Sequence, residues 1–129
     1  MAEAASLRTA LVVEDDADIG KLLQWVLQRE GFEVVLVPDG RKAMDRIAAG
    51  PPTRLVVLDL MLPHVSGHEL LAALRASEAW RAVPVIMLTA KSQEKDIVKA
   101  LDAGANDYML KPFQPAELRA RIRRLVPVA

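Results

Sequence analysis

Four polar stretches, each directly after a run of Val, Leu, Ile or Met, carry the side chains most suited to chemistry: Glu14-Asp15-Asp16, Asp59, Thr89 and Lys111-Pro112. Carboxylates gathered within a few ångströms repel one another, and a divalent cation bound through oxygen relieves the repulsion. Mg2+ suits such a set because it takes few carboxylates and keeps several waters. A carboxylate near the ordinary aspartate value of about 3.9 is ionised at neutral pH and attacks without a general base. Asp59 is therefore either a satisfied charge at a strand end or a nucleophile toward phosphorus. In the second case the Lys111 ammonium and the Thr89 hydroxyl neutralise and orient phosphoryl oxygens, because phosphoryl transfer asks mainly for positioning and electrostatics. His64 and His68 pair with no obvious serine nucleophile and are read as ordinary surface histidines; there is no cysteine.

These groups need a scaffold that brings distant segments together. Five apolar stretches, "TALVV", "EVVLV", "RLVVLD", "PVIMLTA" and "DYMLK", recur along the chain. They are continuous rather than alternating, which marks strands buried on both faces. Between and after them lie the helical patterns "DADIGKLLQWVLQRE", "GRKAMDRIAAG", "SGHELLAALRAS", "SQEKDIVKALDAG" and "QPAELRARIRRLV". In the first, Ile19, Leu22, Leu23, Val26 and Leu27 fall at helical spacing, and Gly31 stands where it can end the helix. Five alternations of strand and helix predict right-handed crossovers and a parallel sheet covered by helices on both faces. Ligand sites in such sheets lie at the carboxyl ends of the strands. All four polar stretches belong there, and they converge if strands one, three, four and five are neighbours.

Composition narrows the class. A chain of 129 residues suits one domain with one core. With 52% hydrophobic and 26% charged residues it is too apolar for a disordered chain. Lys plus Arg and Asp plus Glu are both 17, so no cationic field draws the domain to nucleic acid, and no direct contact with it is expected. No apolar run reaches the ~18 residues that span a bilayer, and "MAEAASLR" lacks the apolar centre of a signal peptide. The chain is read as cytoplasmic and away from membranes, with a mobile tail over residues 1–8 and one domain over residues 9–126.

Taken in order, "LVVEDDADI", "LVVLDLMLP" with Gly67 after it, "VIMLTA" and "GANDYMLKPF" resemble the receiver domain of two-component response regulators. The resemblance runs from Thr9 to about Leu125 and is closest to the receivers of winged-helix transcription regulators. It implies a flavodoxin-like, doubly wound (βα)5 sandwich with a five-stranded parallel sheet in order 2-1-3-4-5. It makes Asp59 the phosphorylated residue and Mg2+ the cofactor, held by Asp15, Asp59 and the Met61 backbone carbonyl, with Glu14 acting through water. Asp16 is read as the cap of the first helix, although an assignment shifted to Asp15 and Asp16 is the alternative. Thr89 and Tyr108 match the switch pair, the Ala90 amide lies where it approaches the phosphoryl group, and Lys111-Pro112 matches a cis peptide. Met61 and Lys91 resemble positions that tune hydrolysis of the phosphoryl group.

The implied phosphodonor is a histidine kinase or a phosphotransfer protein, and the domain is a regulator that assists its own phosphorylation and dephosphorylation rather than an enzyme. Its output face is the fourth helix, fifth strand and fifth helix. Asp102, Asp107, Glu117, Arg121 and Arg123 match residues of an ion-paired homodimer there, while Ile97 stands where a basic partner is usual. Only "PVA" follows the last helical pattern, which fits a stand-alone receiver or the input half of a longer regulator. An aspartyl-phosphate phosphatase of haloacid dehalogenase type would need an acid at Met61, and no G-x-x-x-x-G-K-[ST] loop supports a nucleotide hydrolase. A flavodoxin-like cofactor carrier would share the fold but not the acidic turn. A degenerate receiver serving as a docking module is the non-enzymatic rival.

Overall fold

Aspartate side chains start two of the helices, and glycine of positive φ ends both. The computed structural model describes residues 8–127; the tail expected over residues 1–8 lies outside them except for Arg8. Helix α1 (Ala17–Arg29) begins at Asp16, whose carboxylate accepts the amides of Asp18 and Ile19, satisfying N–H groups that have no partner in the first turn. It ends at Gly31, with φ of +88°, the left-handed geometry that glycine adopts most readily. Helix α2 (Gly40–Ala49) starts from Asp39 in the same way, and α3 (Gly67–Ala76) starts from a reciprocal Ser66/Glu69 box. Helices α4 (Glu94–Asp102) and α5 (Pro115–Leu125) complete the set, α5 with proline in its first turn.

The strands β1 (Thr9–Val13), β2 (Glu33–Val37), β3 (Leu55–Leu58), β4 (Val85–Thr89) and β5 (Asp107–Leu110) form one parallel sheet in the order β2-β1-β3-β4-β5. This is the predicted order. Alternate strand residues face opposite layers. Leu11, Val13, Val56, Leu58, Val85 and Met87 pack with α2, α3 and α4, while Ala10, Val12, Leu55, Val57, Ile86 and Leu88 pack with α1 and α5. Both faces of β3 and β4 are thus covered, so their apolar runs are continuous. Trp80, fully buried, donates its indole N–H to the Ile47 carbonyl at 3.1 Å and ties the segment after α3 to α2.

Register decides where the chemistry falls. Val13 is level with Val37 and Leu58, and Thr89 is level with Leu110. Glu14, Asp59 and Lys111 each follow their strand by one residue, and Thr89 closes its own. The ladder extends past the strand ends: the Asp59 amide donates to the Val13 carbonyl at 3.3 Å, and the Lys111 amide donates to that of Thr89 at 2.9 Å.

Candidate functional site

At the carboxyl edge of the sheet, Lys111 Nζ lies 2.6 Å from Glu14 Oε1 and 2.7 Å from Asp59 Oδ2. Glu14 and Asp59 are buried, Asp15 is exposed and Thr89 is inaccessible to solvent. The second Asp59 oxygen accepts the Met61 amide at 3.0 Å, and Glu14 Oε2 accepts the Asp16 amide at 3.1 Å. Thr89 Oγ1 accepts the Lys91 amide at 3.3 Å, which leaves its hydroxyl proton to donate elsewhere. The Lys111–Pro112 bond is cis, in agreement with the motif.

Burial shapes the charges. Desolvation lifts Glu14 above the ordinary glutamate range despite the neighbouring Lys111. Burial pulls Lys111 down, but hydrogen bonds and charge from Asp59 and Glu14 outweigh it and hold the ammonium above the usual lysine value. One lysine thus serves a site with three acids. One oxygen from each of Glu14, Asp15 and Asp59 lies within 4.8 Å of the others, and an all-oxygen set of that spacing fits a hard divalent cation such as Mg2+. Asp16 stands apart from this group, its carboxylate engaged at the start of α1.

Of the remaining site residues, Tyr108 lies toward α4, within reach of the Asp96 charge. The Tyr108 ring is half-buried against the α2–α4 layer, and its hydroxyl donates to the Lys91 carbonyl at 2.8 Å. Burial, then Asp96 and Asp59, raise the Tyr108 hydroxyl above the usual phenol value, so it stays a donor. Ala90 is exposed, as is Met61 at 55%. The histidines divide. His64 is exposed with φ of +71°, whereas His68 is half-buried on α3, with Nδ1 enclosed and without a partner. Burial and the Lys99 charge push His68 below the usual histidine value, so it is not the surface residue expected.

The face expected to carry the output is ion-paired within the chain. Asp107 is 2.7 Å from Arg121 and 3.0 Å from Arg124, and Arg121 also meets Glu117 at 3.0 Å. Arg123 turns the other way, 2.8 Å from Glu30 at the end of α1, and Arg119 joins it there at 2.7 Å. Asp102 has no ion pair among the described residues, and Ile97 is half-buried. The Glu30 cluster was not foreseen, because the sequence holds no local signal for partners 89 and 93 residues apart. A shallow hollow of about 130 Å3 lined by Ile19, Leu22, Lys111, Pro112 and Phe113 beside the site was also missed. Its only sequence signal is Leu22, apolar and at the margin of the buried α1 stripe.

Known proteins share this arrangement. Residues 10–123 match the family model described as the response regulator receiver domain. The chain is 45% identical over 113 residues to the DNA-binding response regulator MtrA of Mycobacterium tuberculosis, covering 88% of this chain and 48% of that protein. It is 42% identical over 126 residues to the phosphate regulon transcriptional regulatory protein PhoB of Escherichia coli, covering 95% of this chain and 55% of that one. The chain therefore spans about half the length of these curated relatives. Among solved structures, the receiver domain of a Pseudomonas aeruginosa sensor histidine kinase, described with a magnesium ion coordinated in its active site cleft, superposes with a TM-score of 0.83. The two are 33% identical over 94% of this chain and 98% of that one. The BeF3-activated N-terminal receiver domain of Klebsiella pneumoniae RstA gives a TM-score of 0.81 at 36% identity, covering 92% of this chain and 98% of that one. With its strand order, its acidic edge and its lysine in common with the motif pattern, the chain belongs to the response regulator receiver domain family.

Proposed function

We propose that Asp59 accepts a phosphoryl group from the phosphohistidine of a kinase or phosphotransfer protein, and from acetyl phosphate. The observation that carries this reading is the Lys111 ammonium 2.7 Å from Asp59 within a cluster of three carboxylates. An Asp59 oxygen attacks phosphorus, the P–N bond of the donor breaks, and its electron pair leaves with the imidazole. With acetyl phosphate the P–O bond breaks and acetate leaves. Asp15, Asp59 and the Met61 carbonyl would hold Mg2+, with Glu14 reached through water, and the ion would supply positive charge against the carboxylates and the phosphoryl oxygens. Lys111 neutralises a phosphoryl oxygen while Glu14 holds it in place, the Thr89 hydroxyl donates to another, and the Ala90 amide to a third.

As the Thr89 hydroxyl turns toward the phosphoryl group, Tyr108 follows into the space beside it and carries the change to α4, β5 and α5. The apolar hollow at Ile19, Leu22 and Phe113 supports docking of the donor over α1. A docking module that is never phosphorylated would have no need of Lys111 and three acids in one place. Incubation with acetyl phosphate tests the reading: intact mass shows one added phosphoryl group that requires Mg2+ and is absent from Asp59→Asn. An unmodified wild-type chain with acetyl phosphate and with a cognate kinase would contradict it.

A further inference from the structure

Residues 60–66, between Asp59 and α3, form a loop closed by Gly67 and packed against Gly40 of α2. At one end the Gly67 amide donates to the Leu60 carbonyl at 3.0 Å, and a methyl group on Gly67 would stand 2.6 Å from Leu60 Cα. Within the loop the Val65 amide donates to the Pro63 carbonyl at 2.8 Å, spanning His64 at φ of +71°. A bond closed over one residue of positive φ is the rarer, strained form of the γ-turn. Such a conformation persists in a residue with a side chain only where the surroundings over-determine it.

The second constraint comes from another element. Gly40, the first residue of α2, packs directly on Val65: a methyl group there would overlap the Val65 carbonyl oxygen and stand 2.8 Å from Val65 Cβ. Gly40 has little freedom to yield, because Asp39 Oδ1 fixes the first turn of α2 through the Lys42 amide at 2.8 Å. By contrast, a methyl group on Gly20 of α1 meets the movable end of the Leu36 side chain at 3.2 Å.

We propose that Gly40 is a positioning residue for the metal end of the site. By letting α2 press on Val65, it holds the turn at His64 and with it Met61, whose amide is fixed to Asp59 Oδ1. The inference rests on the reading above, in which the Met61 carbonyl is a Mg2+ ligand. A larger residue at Gly40 pushes the loop away from α2 and moves that carbonyl without touching any carboxylate.

Calorimetric titration with Mg2+, alongside thermal unfolding, tests this on the wild-type chain, Gly40→Ala, Val65→Gly and Gly20→Ala. Folded Gly40→Ala binds Mg2+ roughly tenfold more weakly, as loss of support behind a metal ligand commonly does, and Val65→Gly, which removes the Cβ packed on Gly40, weakens it in the same direction. Gly20→Ala keeps wild-type affinity even where its Tm falls as far. In acetyl phosphate uptake, Gly40→Ala needs more Mg2+ but reaches the wild-type rate at saturation. If Gly40→Ala does not fold, Val65→Gly carries the test. Wild-type Mg2+ affinity in Gly40→Ala or Val65→Gly, or equal weakening in Gly20→Ala, overturns the inference alone. A wild-type chain that takes no Mg2+ overturns the site reading as well.

Discussion

Removing the Lys111 ammonium would isolate two buried carboxylates, Glu14 and Asp59. A buried charge that loses its hydrogen-bonded partner costs roughly 1–3 kcal/mol. Lys111→Ala is therefore expected to unfold more easily at pH 7 than the wild type. The pH dependence has a definite sign. Glu14 already lies above its ordinary value through burial, and loss of the lysine removes an opposing influence. An acid raised in the folded state loses stability as pH rises through its folded value and regains it below. The deficit of Lys111→Ala should thus shrink as pH falls from 7 toward 5, as read by chemical denaturation at each pH. A deficit independent of pH would show that the lysine does not restrain these carboxylates.

Helix α5 is gripped from both sides by acids outside it. Glu30 at the end of α1 takes Arg119 and Arg123, while Asp107 at the start of β5 takes Arg121 and Arg124. Both acids are 8% exposed. Arg123 and then Arg119 hold Glu30 below the usual glutamate range by hydrogen bonding, against the opposing effect of burial. An acid depressed in this way stabilises the fold above its unfolded value and loses that contribution as pH falls through the folded one. Glu30→Gln should lower stability by roughly 1–2 kcal/mol at pH 7 and flatten the fall in stability below about pH 4.5, the unfolded range. An unchanged acid limb in denaturation curves would contradict this. None of this was legible in the sequence, where "RARIRR" reads as a solvated basic run and ion pairing depends on the α1–α5 packing. The strand-end residues were legible for the opposite reason: a continuous apolar run fixes where each strand stops, so Asp59 and Lys111 had one place to go.

At the scale of the molecule, strand order brings four strand ends into one edge; the alternation of strands and helices predicts the parallel sheet, but which strands are neighbours came only with the resemblance to receivers, because alternation alone does not set strand order. The fate of His68 and the turn at His64 were not predictable, because both depend on neighbours supplied by α4 and α2. The surface of α4, β5 and α5 combines the exposed Val98, Leu101 and Leu110 with the paired Asp107, Glu117 and Arg121. We expect phosphorylation to join two chains through it, with Asp102 free to take a partner's cation and Arg123 exchanging Glu30 for the interface. Light scattering after size exclusion should read a monomer alone and a dimer with beryllofluoride and Mg2+. A monomer in both conditions would exclude that assembly without touching the phosphoacceptor.

The central claim is chemical, that an acyl phosphate forms at Asp59. Borohydride reduces an acyl phosphate to the alcohol, so aspartate at the phosphorylated position becomes homoserine. After reaction with acetyl phosphate and Mg2+, reduction and peptide mapping should place homoserine at position 59 and nowhere else. Homoserine at Asp15 or Asp16, or at no position, would contradict the account.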